Sequence, residues 1–275
     1  MNKPPNSRVN LDKAIERLYG TGAKFVEARS LVANAVVGQF LPDGVAKGGT
    51  ALKLRFGPVG FRATRDLDAA RRGDLREFER ILGDRLKEGW CGFTGTVAPG
   101  RPARPRGVPH EYVMRPFEVR LAYRGRPWCT VALEVGHNEI GDADEPERIL
   151  SPGVVAMFEA LGFPAPAPVP LMPIPYQIAQ KLHGATEPGS RRVHDLVDLQ
   201  LILAQGEPDW PKTRAVCIRL FDYRRLQPWP PVLAPAADWP ALYAEQAQRV
   251  SVLPTLDEAV AWTERLIARI DAAQE

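Results

Sequence analysis

From Leu11 to about Phe40, apolar residues return at helical spacing, with Ile15, Leu18, Phe25, Leu31, Val32 and Val36 supplying the stripe. Gly20 and Gly22 fall inside this stretch and predict two helices rather than one. A short apolar pair, Val45–Ala46, runs into Lys47-Gly48-Gly49-Thr50, the pattern of a strand and tight turn followed by a helix over Ala51–Arg55 that Gly57-Pro58 ends. Arg62–Ala69 reads as a second strand and Asp74–Trp90 as an amphipathic helix, with Leu75, Phe78, Ile81, Leu82 and Leu86 inward. Residues 98–109 hold four prolines and three arginines, which predicts a loop. Two alternating runs, Tyr112–Tyr123 and Trp128–Val135, joined by Arg124-Gly125-Arg126-Pro127, predict a β-hairpin. After Ser151 the period is helical, with helices expected near 152–161, 173–185, 194–204, 211–224, 239–249 and 255–273. The pattern therefore divides the chain into an α/β part over residues 1–150 and an all-helical part over 151–275.

Composition narrows this picture without changing it. The chain has 275 residues, 45% hydrophobic and 25% charged, which are globular values. A net charge of +3 excludes a polycation that grips nucleic acid through bulk charge. Arginine outnumbers lysine 28 to 8, and the guanidinium fork matches phosphate oxygens in pairs. Cys91, Cys129 and Cys217 are far apart and odd in number, which fits neither a metal-ligand spacing nor a disulfide framework. No apolar run reaches the length of a membrane span, and the opening MNKPPNSRVN lacks the hydrophobic segment of a signal peptide. The expectation is a soluble, cytoplasmic protein with no membrane partner; its oligomeric state is open, with a monomer favoured.

Three acids carry candidate chemistry. Asp66 and Asp68 are two apart on an expected strand, so their side chains share a face. Neighbouring carboxylates repel unless a cation sits between them, and Mg²⁺ prefers such oxygens while keeping room for substrate phosphates. The other reading of a lone D-x-D is a solvated turn. Glu134 lies opposite the apolar positions Val131, Leu133 and Val135, so it either faces solvent or joins the same site from an adjacent strand. Upstream, Gly48-Gly49-Thr50 offers backbone N–H groups and a hydroxyl at a positive helix end, a cradle for phosphate. It is not a Walker loop, because neither G-x-x-x-x-G-K-[ST] nor its lysine position is present.

Taken together, KGGTALKLRFG followed by RATRDLDA resembles the Gly-Gly-Ser/Thr and Asp-x-Asp signature of the DNA polymerase β-like nucleotidyltransferases. It is more closely similar to their AbiEii/AbiGii branch, the toxins of bacterial toxin–antitoxin pairs. A second block, IPYQIAQKLHGATEPGSRRVHDLVDLQLIL, resembles that branch's later motifs, a helix lysine and a basic-then-D-L-x-D-L helix. Within the branch, the IAQKLH and HDLVDLQL segments and the hairpin ending in an acid resemble the MenT toxins of mycobacteria. The likeness runs from about Val32 to the C-terminus.

The resemblance implies an α+β fold: a polymerase β-like domain of mixed sheet and helices, then an all-helical domain contributing Lys181 and Asp198 to the site. It implies that Gly48, Gly49 and Thr50 hold the triphosphate of an NTP, and that Asp66, Asp68 and Glu134 coordinate Mg²⁺ or Mn²⁺. Lys181 would contact the nucleotide phosphates and Asp198 would serve catalysis, with Asp195 beside it on the helix. Read from the residues alone, Lys181 could equally be a solvated helix lysine, and Asp195 an acid favoured by the helix dipole. Thr50 replaces the serine of many small nucleotidyltransferases but keeps the hydroxyl. The gap from Thr50 to Asp66 is longer than in the minimal motif.

The expected reaction is attack of an acceptor hydroxyl on the α-phosphate of an NTP, releasing pyrophosphate. Between Arg101 and Arg126 stand seven arginines against Glu111 and Glu118, and Lys212, Arg214, Arg219, Arg224 and Arg225 form a second basic group. Such stripes suit an RNA backbone. The resemblance points to the 3′ acceptor end of tRNA, to a pyrimidine nucleotide, to a block of translation and to a cognate antitoxin. The alternatives are a nucleotidyltransferase acting on a small molecule or protein, and a non-catalytic NTP-binding module. Thr64, two residues before Asp66, is a candidate regulatory phosphosite, since a phosphate there would add about −2 charge beside the acids.

Overall fold

Leu11 and Ile15, one helical turn apart and both fully buried, anchor the first helix, α1 (Arg8–Tyr19), whose start is capped by the Ser7 hydroxyl accepting from the Asn10 N–H. Gly20, at a positive φ of 98°, stops it, and α2 (Ala23–Gln39) follows as two separate helices require. Residues 3–60, 62, 64–101 and 113–274 are described by the computed structural model. They divide into two compact units, the first comprising Met1–Val59 and Ala63–Met172, the second Gly60–Arg62 and Pro173–Glu275.

In the first unit the chain continues through β1 (Gly44–Lys47), α3 (Gly48–Phe56), β2 (Leu67–Arg71), α4 (Leu75–Glu88) and β3 (Phe93–Pro99). The hairpin forms as β4 (Arg115–Tyr123) and β5 (Arg126–His137), then β6 (Glu147–Ile149), α5 (Pro152–Ala160) and β7 (Val169–Leu171) complete the unit. The expected hairpin start at Tyr112 lies outside the described residues. The seven strands form one mixed sheet in the order β3-β4-β5-β2-β1-β7-β6. β2 runs antiparallel to β1 and parallel to β5, and β1 runs parallel to β7. Leu67 and Ala69 of β2, Leu133 and Val135 of β5, and Leu31, Val32 and Val36 of α2 share one buried core with Val154 and Phe158 of α5. Because β6, α5 and β7 join this layer, the first unit extends to Met172, beyond the sequence division near residue 150.

The second unit is helical: α6 (Ile174–Thr186), α7 (His194–Leu203), α8 (Trp210–Arg224), α9 (Trp239–Ala247) and α10 (Leu256–Asp271). α6 packs on α7 and α8, and α10 closes against α7, α8 and α9. The start of α10 is fixed by a capping box, with Thr255 and Glu258 satisfying each other's backbone N–H groups. Among the described residues, no helix is long and apolar enough to cross a membrane.

Two sequence expectations need correction here. The strand expected over Arg62–Ala69 begins only at Leu67, so Thr64 and Asp66 precede it and do not share a strand face with Asp68. The helix expected to begin at Ala51 begins at Gly48, so the glycines are its first turn rather than a turn before it.

Candidate active site

β-register sets the acids of the first unit in a row. Lys47 on β1 pairs with Asp68 on β2, and Asp68 pairs with Glu134 on β5, so three charged residues stand side by side across three neighbouring strands. Alternation along β5 buries Val131, Leu133 and Val135 and leaves Glu134 on the open face with Asp68. Asp66, exposed, lies just before β2. With no ladder partner, that segment is held by side chains from α2 and α3. Buried Thr50 donates its hydroxyl to the Asp66 carbonyl at 2.6 Å and lies 3.0 Å from the Thr64 hydroxyl. Buried Asn34 donates Nδ2 to the Arg65 carbonyl at 3.2 Å. Thr50 therefore positions the acid segment, a role that the Gly-Gly-Thr pattern does not reveal.

Gly48 has a positive φ of 70°, and a Cβ there would collide with the Asp68 carboxylate. Only glycine lets the start of α3 approach the acid this closely. α3 also begins without a side-chain cap, which leaves its first-turn N–H groups for an anion at the positive end of the helix.

Burial raises the Glu134 carboxyl above its ordinary value, and the negative charges of Asp68 and Asp66 push the same way, while Lys47 opposes them. Mutually repelling carboxylates are the donor chemistry that suits a hard divalent cation. Among the described residues, no three Asp, Glu, His or Cys side chains are drawn together as a ready-made metal centre.

In the second unit, Lys181 of α6 is buried, not solvated, and holds two aspartates of α7. Its Nζ lies 3.1 Å from Asp195 Oδ1 and 2.6 Å from Asp198 Oδ2. Asp198 also takes a two-pronged contact from Arg62, at 2.9 and 3.1 Å. Asp195 takes one from Arg192 at 2.7 Å. Burial alone would raise both carboxyls, but the cations overcome it: Lys181 and Arg192 hold Asp195 at about 2, and Lys181 and Arg62 hold Asp198 below its ordinary value. Burial lowers the His194 ring below its ordinary value, against the opposing charge of Asp195. The 3-residue spacing of Asp195 and Asp198 signals their shared face, and Arg192 belongs to the basic pair just before that helix, whereas nothing local in the sequence ties Arg62 to α7.

His183 is buried against Phe221, with ring centroids 4.9 Å apart, which makes it a packing residue. Of the first arginine stripe, Arg101, Arg120, Arg124 and Arg126 are exposed and Arg115 partly so, while Arg104, Arg106, His110 and Glu111 lie outside the described residues. Glu118 and Arg120 pair with each other at 2.8 Å. Lys212, Arg219 and Arg225 are exposed at α8 and its end.

Comparison with known proteins bears on this geometry. A family model described as the nucleotidyl transferase AbiEii toxin of type IV TA systems matches residues 30–266. Among solved structures, MenT4, a nucleotidyltransferase toxin from Mycobacterium tuberculosis H37Rv, is similar at a TM-score of 0.57 and 19% identity, over 98% of this chain and 90% of its own. JHP933 from Helicobacter pylori aligns over 88% of this chain and 90% of its own, with 18% identity and a TM-score of 0.44. No curated protein sequence matches the chain. The likeness to MenT4 shows a shared fold of mixed sheet and C-terminal helices. With most of its length matched, the chain belongs to the AbiEii family of nucleotidyltransferase toxins from type IV toxin–antitoxin systems.

Proposed function

We propose that this toxin transfers a nucleoside monophosphate from an NTP, a pyrimidine nucleotide by its likeness to the MenT toxins, to the 3′ acceptor end of tRNA, and so blocks translation. The observation that carries the reading is the acid row beside an uncapped glycine helix start: Asp68 and Glu134 in register, Asp66 just ahead of them, and Gly48 against Asp68. The acceptor hydroxyl oxygen bonds to the α-phosphorus, the bond from that phosphorus to the bridging oxygen breaks, and pyrophosphate leaves with the electron pair.

Asp66, Asp68 and Glu134 are the residues to hold Mg²⁺ or Mn²⁺, an ion commonly bound through one or two carboxylates plus substrate phosphates. Such an ion supplies charge neutralisation on the triphosphate and polarisation of the attacking hydroxyl. Gly48 and Gly49 offer N–H donors to the triphosphate, and the Thr50 hydroxyl keeps Asp66 in place. Asp66 activates the acceptor hydroxyl. In the second unit, Asp195 and Asp198 fix the Lys181 ammonium. Phosphoryl-transfer enzymes of this kind accelerate chiefly through positioning and charge neutralisation. A phosphate on Thr64 would crowd the Thr50 hydroxyl 3.0 Å away and add negative charge next to Asp66.

The test offers the four NTPs separately with bulk tRNA, followed by sizing and sequencing of the RNA ends. One nucleotide added at the 3′ end, lost in Asp66→Ala, is the expected result. A folded Asp66→Ala protein with normal transfer would overturn the assignment. Label passing to lysate protein and not to RNA would overturn the choice of acceptor.

A further inference from the structure

Beside the acid row, on the β5 side, lies a cleft of about 180 Å³ walled by Ser30 and Asn34 of α2, Thr130 and Val131 of β5, and Arg65. Asn34 is 1% exposed. Its Nδ2 donates to the Arg65 carbonyl, and this bond fixes the orientation of the amide, since the reverse would face two carbonyl oxygens. That leaves Asn34 Oδ1 buried and without a hydrogen-bond partner among the described residues. A buried carbonyl lacking a donor is costly, and native structures pair nearly all such atoms. The cleft therefore calls for a ligand that brings a hydrogen-bond donor to Asn34.

Charge and position narrow the ligand. Arg29 also lines the cleft, but its guanidinium is committed to Asp12 at 3.1 Å and to the Trp128 carbonyl. Arg65 is exposed and immediately precedes Asp66. Leu67 pairs with Leu133 in the parallel β2–β5 ladder, and Arg65 lines the cleft just ahead of that ladder, with Val131 of β5. Arg65 ties the cleft directly to Asp66, the residue that follows it. A donor hydroxyl for Asn34, an anion for Arg65 and a place next to Asp66 describe one chemical unit, a ribose with its phosphate.

We propose that this cleft receives the 3′-terminal ribose and adjoining phosphate of an RNA acceptor. The 2′-hydroxyl donates to Asn34 Oδ1 and the phosphate pairs with Arg65. The proposal rests on the reading of the acids as a nucleotidyl-transfer centre with an RNA acceptor. Because the 2′-hydroxyl is what separates RNA from DNA, Asn34 becomes the residue that makes the toxin selective for RNA ends.

The test measures binding of a 5′-labelled RNA hairpin with a single-stranded 3′ end to the full-length protein by fluorescence anisotropy, without NTP. NTP binding is followed separately by calorimetry. Arg65→Ala, at an exposed position, is expected to weaken RNA binding about tenfold and to lower the salt slope by about one, with NTP binding unchanged. A 2′-deoxy terminus is expected to weaken binding to the wild type and to make no further difference to Asn34→Ala, a coupling that a purely structural role for Asn34 would not produce. Unchanged RNA affinity in Arg65→Ala, or a loss of NTP affinity in its place, would overturn the proposal. If transfer to tRNA persists in that case, only the cleft assignment fails. A wild-type protein that binds no RNA removes both the cleft assignment and the RNA reading.

Discussion

Lys181→Met puts the buried ion network to a quantitative test. The substitution keeps the length of the side chain and removes the ammonium that lies between Asp195 and Asp198, both essentially inaccessible to solvent. Breaking a buried pair by removing one partner costs about 3–5 kcal/mol. Arg192 remains on Asp195 and Arg62 on Asp198, so the low end, about 3 kcal/mol, is expected at neutral pH. Part of that loss depends on pH. The Asp195 carboxyl falls from an ordinary 3.8 to about 2 on folding, which at 1.36 kcal/mol per unit is about 2 kcal/mol. A depressed carboxyl stabilises the fold above its unfolded value and loses that contribution as the pH falls through the folded one. The gap between wild type and variant is therefore widest at neutral pH and narrows as the pH drops from about 4 towards about 2. Urea unfolding followed by tryptophan fluorescence is the assay, since Trp210, Trp229, Trp239 and Trp262 all belong to the second unit. A gap under about 1 kcal/mol at neutral pH, or one that stays constant on acidification, would refute the reasoning.

Further outcomes follow from the first unit. Gly48→Ala forces a Cβ into the Asp68 carboxylate at a positive φ and should abolish transfer while destabilising by about 1–3 kcal/mol; Gly125→Ala, with a φ of 72° but open space around it, should cost about 1 kcal/mol and leave activity intact, as denaturant titration and end-labelling of tRNA would show. Thr50→Val removes the hydroxyl from the Asp66 carbonyl and should cost about 1 kcal/mol and most of the activity, whereas Thr50→Ser should retain both. Since the folded Glu134 carboxyl titrates above its ordinary value, its charge opposes folding at neutral pH; Glu134→Gln should raise Tm there, have no effect near pH 3, and weaken the rise in Tm expected when Mg²⁺ is added to the wild type. Thr255→Ala, which breaks the capping box of α10, should cost about 1 kcal/mol without changing transfer.

Helices were the legible part of this sequence, because each carries its own punctuation. Gly20 separates α1 from α2, and Leu256, Ala259, Thr263, Leu266 and Ile270 place the buried face of α10 at regular spacing. The acids were legible too, since alternation along Val131–Val135 puts Glu134 on the open face. Other features have no local signature. The polar run before Leu67 alternates like a strand, yet it lacks a ladder and hangs on Asn34 and Thr50. Asn34 itself is hidden in LVANAVV, a stretch of α2 buried on every side, where hydrophobic periodicity has no exposed face to mark. Arg62 meets Asp198 across 136 residues of chain, a pairing that only the fold creates. The short strands β6 and β7 sit among prolines and polar residues, and they exist because β1 offers an open edge to β7.

That last pairing bears on when during its manufacture a poison becomes dangerous to the cell that makes it. Ala46 pairs with Leu171, so the sheet holding the acids closes only after residue 171 of the 275 has been made. Asp68 cannot stand beside Glu134 until β5 has been made, and Lys181 meets Asp198 later still. Contacts so distant in sequence form slowly and form last. A chain ended before β5 carries the glycine turn and the first two acids without the strand that sets Glu134 beside Asp68. The order of synthesis thus puts the alignment of the acid row behind the making of β5, and the ion network of Lys181 behind that of α7.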